Sequence, residues 1–487
     1  MTHDMTPHTP EQRPLIWSDS ILDLQDALSD LKVEKPLYIV GGAVRDAFFH
    51  KPIKDLDLAT AGNAIRTARK MANHLDCDVF VLDDERDVAR LLLTYDGEQL
   101  VIDIAHFRGD DLLSDLLGRD FTVNAIAVDL ASDLSQMIDP LDGEADLKAK
   151  VLRRCTETSL ADDPLRALRA VRQSVQLKYR IEPNTLADIK SVIPRIVESS
   201  AERVRDEFFT LLNLQKVASA CRVAYALGMM QVILPHLEGL QGQSLPAPHI
   251  YTAWKHTLES VEKMTMLLTA ISYKRTDNTA ANFDLGMVAM QFDRFRANLN
   301  LHLGKEWVNG RTHYSLMILA SLVHTVDYLG DNSADLAEKI AIDLRLSNPE
   351  KKHLRAVLAH YHEAHVLDYM DTLSIHRFWY TLGDVGIDAI LLGMADYLAT
   401  VGNELKQDDW LIMVERAVVL FDRYFNQYET VVSPPQIIDG NDIMQELKLE
   451  GGRIIGDLLT HIREAQVLGE VNNREEALAA ARQYLKQ

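Results

Sequence analysis

Cysteine is scarce in this 487-residue chain. Three thiols, Cys77, Cys155 and Cys221, are too few and too scattered for a disulfide framework or a cysteine-built zinc site. A reducing, cytoplasmic setting is the expectation. Long apolar runs are missing too: the best candidate, around Leu316–Val323, stops at His324, short of the ~18 residues a membrane span needs. No membrane partner is expected. The opening MTHDMTPHTPEQ is polar and proline-containing, without the apolar segment of a signal peptide, and residues 1–20 are expected to be disordered. Positive charge is in deficit: 51 Lys and Arg against 72 Asp and Glu give −21, which argues against a chain that coats nucleic acid wholesale. With 47% hydrophobic and 25% charged residues, the composition is that of a globular protein long enough for about three domains.

Charge is nevertheless uneven. Between Lys148 and Arg180 stand nine basic residues and three acidic ones, a stripe that can face a polyanion or simply form a solvated helix face. Residues 37–147 mix short β-branched runs (LYIVGG, DVFVL, RLLLTY, QLVIDIA, AIAVDL) with helical patterns, and Asp96-Gly97 reads as a hairpin turn. This predicts an α/β head with a mixed sheet. From about Ser159 strand signals nearly vanish, and apolar residues recur at three- and four-residue spacing in Leu165–Val175, Val204–Leu212, Ile340–Leu346 and Ala389–Leu398. The rest should be all-α. We divide the chain into a head over 21–147, a helical neck over 148–240, a helical body over 241–432 and a helical tail over 433–487, with linkers at Asp277–Thr279 and Ser433–Pro435.

The chemistry-bearing residues lie in the head. Gly41-Gly42 follows an apolar strand and precedes a helical run, a turn whose backbone N–H groups can approach a phosphate. Asp55-Leu56-Asp57-Leu58 puts two carboxylates on one face if the segment is a strand; an exposed loop is the alternative. Aligned carboxylates repel unless a cation lies between them, and Mg2+ takes such oxygen ligands together with substrate phosphates. A third acid, Asp103, sits inside the apolar run Val101–Ala105, where an unpaired charge is costly. Two acids flanking an apolar residue, then a lone acid, suit two-metal nucleotidyl transfer.

In these residues the chain resembles the polymerase β-like nucleotidyltransferase superfamily and, within it, the class II tRNA nucleotidyltransferase and poly(A) polymerase family. The resemblance spans roughly residues 37–212. It implies that Asp55, Asp57 and Asp103 are catalytic metal ligands for Mg2+, and that Gly41, Gly42 and Arg45 hold the triphosphate. Arg119-Asp120-Phe121-Thr122-Val123-Asn124-Ala125 is similar to the family's RRDFTxNA motif, implying ribose recognition by Arg119, Asp120 and Asn124; Gly118 replaces the first arginine. Asp139–Leu147 matches the segment joining head to neck. Asp162-Asp163-Pro164-Leu165-Arg166-Ala167-Leu168-Arg169 resembles EDxxRxxR, with aspartate for glutamate at 162, implying base selection by Asp163, Arg166 and Arg169. Arg203 and Glu207 resemble a motif that braces the neck.

The neck motif also has a reading of its own. Asp163 before Pro164 predicts a helix N-terminus there, with Arg166 three residues on. A carboxylate and a guanidinium side by side can read the edge of a base or form a surface ion pair. In the body, His256 and His324 resemble two positions of the HD phosphohydrolase pattern, but Thr325 stands where that pattern has aspartate, so we read a degenerate HD-like scaffold with Asp396 as a remnant. His353, His360, His362 and His365 are read as core or solvated histidines. Pro435–Ala477 resembles the family's tail module.

The resemblance implies an enzyme that adds CTP- and ATP-derived nucleotides to tRNA 3′ ends, by CCA addition, as a monomer or homodimer. CC-only addition, A-only addition and poly(A) synthesis stay open, as does a catalytically inactive RNA-binding relative. Only ten residues, Gly109–Gly118, join Arg108 to Arg119, whereas members that add the terminal A usually carry a longer flexible loop there.

Overall fold

The structure, a computed structural model, describes residues 15–273 and 283–486. The linker read at Asp277–Thr279 lies outside them. Residues 15–20 correct the expectation of disorder over 1–20: Leu15 and Trp17 are buried, and the Trp17 indole N–H donates to the Leu134 carbonyl at 2.9 Å. Apolar side chains that find a groove order the chain that carries them.

The chain divides into two compact units, Met1–Ser199 and Ser200–Gln487. The first is built on a six-stranded sheet. Its strands are β1 (Leu37–Val40), β2 (Asp55–Thr60), β3 (Asp78–Asp83), β4 (Val88–Tyr95), β5 (Glu98–His106) and β6 (Ala127–Asp129), ordered β3-β4-β5-β2-β1-β6. Only the β2–β5 pair is parallel among these; the sheet is mixed, as expected. Leu56, Leu58, Ile102 and Ile104 are buried on one face, which forces their alternating neighbours to the other. Asp96 and Gly97 both take positive φ, 48° and 79°, the conformation of a two-residue hairpin turn between β4 and β5. At the free edge, β3 exposes Phe80, Val81 and Leu82, and its register against β4 shifts between Val81 and Asp83.

Beyond the sheet, a helix over Arg166–Leu177 buries Ala167, Leu168, Ala170 and Val171 and presents Arg166, Arg169 and Arg172 on its less buried side. The helix start differs from expectation. Asp163 is extended, at φ −143° and ψ 93°, and the regular helix begins at Arg166. The Asp163 carboxylate still accepts the Leu165 N–H at 3.3 Å, and a turn over 163–165 leads into the helix.

The second unit is helical among its described residues. Helices Ala253–Ile271, His313–Val323 and Asn348–His360 pack around Val385–Val401. Val385–Glu404 corrects the reading that no apolar run approaches a span. It is 20 residues long, and an 18-residue stretch of it has mean hydropathy 1.4, but 78% of that stretch is buried inside the unit, the environment of a core helix. Near the C-terminus Ile438, Ile443, Leu458, Ile462 and Ala477 gather into a separate small core.

Candidate active site

Strand register places the three acids. Asp55 and Asp57 are two residues apart on β2, and Asp57 is the direct partner of Asp103 on parallel β5, so all three project from the face opposite the buried leucines and isoleucines. Asp57 is pushed above the ordinary carboxylate range by loss of solvent, which the Arg119 charge opposes and the Asp103 and Asp55 charges reinforce. Three carboxylates on one face, with Asp57 held above its usual range, are a fit for a hard divalent cation.

Asp103 already has a partner. Arg90, directly opposite it across the β4–β5 ladder, forks onto both oxygens at 2.7 and 2.8 Å. Each carboxylate oxygen keeps a lone pair beyond those hydrogen bonds, so the pair orients Asp103 without exhausting it. Arg90 was not among the candidates read from sequence, yet the Asp96-Gly97 turn fixes the register that sets it there.

Beside Asp57 opens a cavity of about 310 Å³. Gly41 and Gly42 form one wall, and six arginines line the rest: Arg45, Arg108, Arg119, Arg166, Arg169 and Arg172. Gly41 adopts φ 75°, where a side chain is strained, and a Cβ there would stand 3.3 Å from both Asp57 and an Arg119 guanidinium nitrogen. The chain thus brings bare backbone between the carboxylates and the cations, an arrangement suited to a polyphosphate.

The floor is a connected polar network. Arg45 donates to the Asn124 side-chain oxygen at 2.7 Å, while the Asn124 amide donates to Asp120 and to Gln173, both at 3.0 Å. Asp120 also accepts the Phe121 N–H and faces Arg169 at 3.4 Å. Burial pushes the Asp120 pKa up, but Arg169, Asn124 and the Phe121 N–H outweigh it and hold the carboxyl below its usual range. Gln173, one turn beyond Arg169, is a contributor that the motifs did not single out.

Arg166 reaches the same cavity with its donors partly used: it bonds the carbonyls of Gly118, Arg119 and Ser159 at 2.7, 3.0 and 3.1 Å. At Gly118, where the motif expects arginine, a Cβ would lie 3.4 Å from the Arg108 side chain, so Arg108 covers that spot and adds its charge to the cavity. The Gly109–Gly118 connection is ordered. Leu112–Leu117 is a short helix capped by Asp111, and buried Asp115 receives Arg108 at 3.3 Å and Arg119 at 2.9 Å.

The basic stripe is less available than its composition suggests. Lys148 pairs with Glu144, Arg153 with Asp146 and Glu182, and Arg154, largely buried, with Asp188. In the second unit, Arg203 and Glu207 lie four residues apart on the Ala201–Leu212 helix. His256 and His324 do meet Asp396, at 3.0 and 3.1 Å, while Thr325 bonds Thr257 and Asp327 caps Ser333. His353, His360, His362 and His365 do not form one site: His353 turns to Asp388, and His360 to Glu363.

A mixed sheet carrying three acids on one face, beside an arginine-lined cavity with a glycine turn, defines a nucleotidyltransferase head. Residues 37–153 match the poly A polymerase head domain, 178–240 the probable RNA and SrmB-binding site of polymerase A, and 416–481 a putative tRNA nucleotidyltransferase domain 2. The chain is 30% identical over 449 residues to a CC-adding tRNA nucleotidyltransferase of Geobacter sulfurreducens, covering 90% of each. It is 29% identical over 458 residues to an A-adding tRNA nucleotidyltransferase of Deinococcus radiodurans, covering 92% of this chain and 95% of that one. A CCA-adding enzyme in its apo form shares the fold, with TM-score 0.61 and 22% identity over 97% of this chain and 96% of the other. The chain belongs to the class II tRNA nucleotidyltransferase family and is an enzyme of that class.

Proposed function

We propose that the enzyme builds or repairs the CCA end of tRNA, transferring nucleotides from CTP and ATP to the terminal 3′-hydroxyl without a template. The observation that carries this reading is the register of Asp57 and Asp103 on adjacent strands, next to the Gly41-Gly42 turn and its arginines. In the step itself the 3′-oxygen attacks the α-phosphorus, the bond to pyrophosphate breaks, and the hydroxyl proton is lost. Asp55, Asp57 and Asp103 would hold Mg2+, which when bound activates the hydroxyl and neutralises the departing pyrophosphate. Arg45 and the Gly41-Gly42 backbone hold the triphosphate, Arg119, Asp120 and Asn124 recognise the ribose, and Asp163, Arg166 and Arg169 select the base. Arg203 and Glu207 brace the neck.

CC-only addition is a second reading, favoured by one observation. The Gly109–Gly118 connection, short for a member that adds the terminal A, is tied down through Asp115 rather than free. Incubating the enzyme with tRNAs ending at the discriminator base, at C and at CC, with CTP and ATP separately and together, decides between them. Full CCA on the bare end is expected. Arrest at CC supports the second reading, and long A tracts or no incorporation overturn both.

A further inference from the structure

Away from the nucleotide cavity, three imidazoles converge on one carboxylate inside the helical unit. Asp388, on the Val385–Val401 helix, is fully buried. Its Oδ1 faces His302 Nε2 at 2.8 Å, and its Oδ2 faces His313 Nδ1 at 3.2 Å and His353 Nε2 at 2.5 Å. The four residues come from four helices, Arg296–Leu303, His313–Val323, Asn348–His360 and Val385–Val401. All four are at most 6% exposed.

A buried carboxylate needs positive charge or hydrogen-bond donors beside it; three imidazoles face this one, and the nearby Lys305 and Arg311 are engaged elsewhere. Lys305 reaches Asp384 at 3.1 Å, and Arg311 forks onto buried Glu350 at 2.6 and 2.9 Å. We infer that His302, His313 and Asp388, with His353 held against the same carboxylate, form a binding site for a single transition-metal dication of the zinc type. The geometry suits one: in a tetrahedral zinc site with bonds of ~2.0–2.1 Å, ligand atoms stand about 3.3 Å apart. Nitrogens of His302 and His313 and an Asp388 oxygen lie within 4.8 Å of one another, and the carboxylate contacts run from 2.5 to 3.2 Å. Imidazoles beside a carboxylate select zinc over the magnesium that an all-oxygen set prefers. Bundle interiors build such sites from one side chain per helix.

The surroundings hold the ligands in place. Trp307 stacks on His313, ring centres 4.5 Å apart and 19° from parallel, and meets His353 edge-on. Glu350 lies one turn before His353, so its fork to Arg311 ties the Trp307–His313 segment to the helix that carries His353. The HD-like region holds a second group, His249, His256 and Asp396, whose ligand atoms also lie within 4.8 Å of one another, but its carboxylate has a further partner. There Tyr328 takes the Asp396 Oδ2 at 2.6 Å, and Thr325 stands in for a carboxylate.

The test uses the full chain carrying Asp57→Ala, so that the head carboxylates do not add a second ion. The protein is stripped with a chelator, reloaded with Zn2+, freed of excess and assayed for bound metal. One zinc per chain is expected, falling at least tenfold in His302→Ala, His353→Ala and Asp388→Asn and persisting in His324→Ala. Cobalt replacement should give the intense visible bands of a four-coordinate site, which needs no further variant and decides the matter if the histidine variants fail to fold. A chain that takes up no zinc and shows no such bands, or zinc that is lost with His324 rather than His353, overturns the assignment.

Discussion

The two units neutralise their crowded aspartates with different chemistry. In the first, Asp103 meets Arg90, Asp115 meets Arg108 and Arg119, Asp120 meets Arg169, and Asp146 meets Arg153. In the second, Asp388 and Asp396 are each enclosed by imidazoles. A guanidinium keeps its charge at every working pH, so the nucleotide site is a fixed electrostatic mould. An imidazole is conditional: its charge depends on a proton, and its lone pair on what else is bound. The arginine-rich unit should therefore fail through loss of single residues, and the histidine-rich unit through a change of conditions.

The largest effect tests the fixed mould. Asp57→Ala should lower nucleotide incorporation more than a hundredfold, measured with labelled CTP on tRNA lacking its end, with an unchanged melting temperature. Activity above a few per cent in Mg2+ would remove Asp57 from the centre. Arg166→Ala should cost about tenfold, near 1.4 kcal/mol of barrier, and relax selection among the four nucleotides. An equal loss for all four would make Arg166 a clamp on the Gly118 and Arg119 carbonyls and nothing more.

Acid separates the units. Burial pushes His365 down to about 4, and His256 and His376 are lowered for the same first reason. Unfolded, these groups take up protons near pH 6.5; folded, they resist. Their contribution is complete above pH 6.5 and is lost as pH falls; for His365 the loss runs to about pH 4, at roughly 1.4 kcal/mol per unit of separation. For His365 alone that is about 3 kcal/mol. Thermal melting followed from pH 7 to 4.5 should show helical signal lost before the head unfolds; simultaneous loss would erase the distinction. The smallest effect concerns the basic stripe. Arg172→Glu should reduce the salt slope of tRNA binding by about one unit. Arg154→Glu should leave it alone, because Arg154 is committed to Asp188.

What was legible in the sequence follows the range of the interactions. The DxD spacing, the Asp96-Gly97 turn and the glycine pair are local patterns, and they located the sheet face and the cavity wall. The turn also carried the register that sets Arg90 opposite Asp103, a deduction available by counting outward from Asp96 and Gly97. The Asp163-Pro164 signal was displaced: a turn intervenes and the helix starts at Arg166. His302 and His313 were illegible, because their partner Asp388 lies 86 and 75 residues away and no periodicity links separate helices. The histidines that did show helical spacing, His353 through His365, diverge into different surroundings.

The bulge near Val81 has a consequence for the enzyme as a solute. A flat outer strand showing Phe80, Val81 and Leu82 would be a template for another molecule's backbone, and sheets that stack this way precipitate. The slip between Val81 and Asp83 breaks the even spacing of free N–H and C=O groups, and Asp78, Asp83 and Asp84 surround the apolar triplet with charge. At cellular salt, screening confines the repulsion from the chain's −21 charge to about 8 Å, and the irregular, acid-flanked margin adds its own obstacle to strand pairing at contact. At contact range the irregular outer strand thus gives a neighbouring molecule no even ladder to pair with.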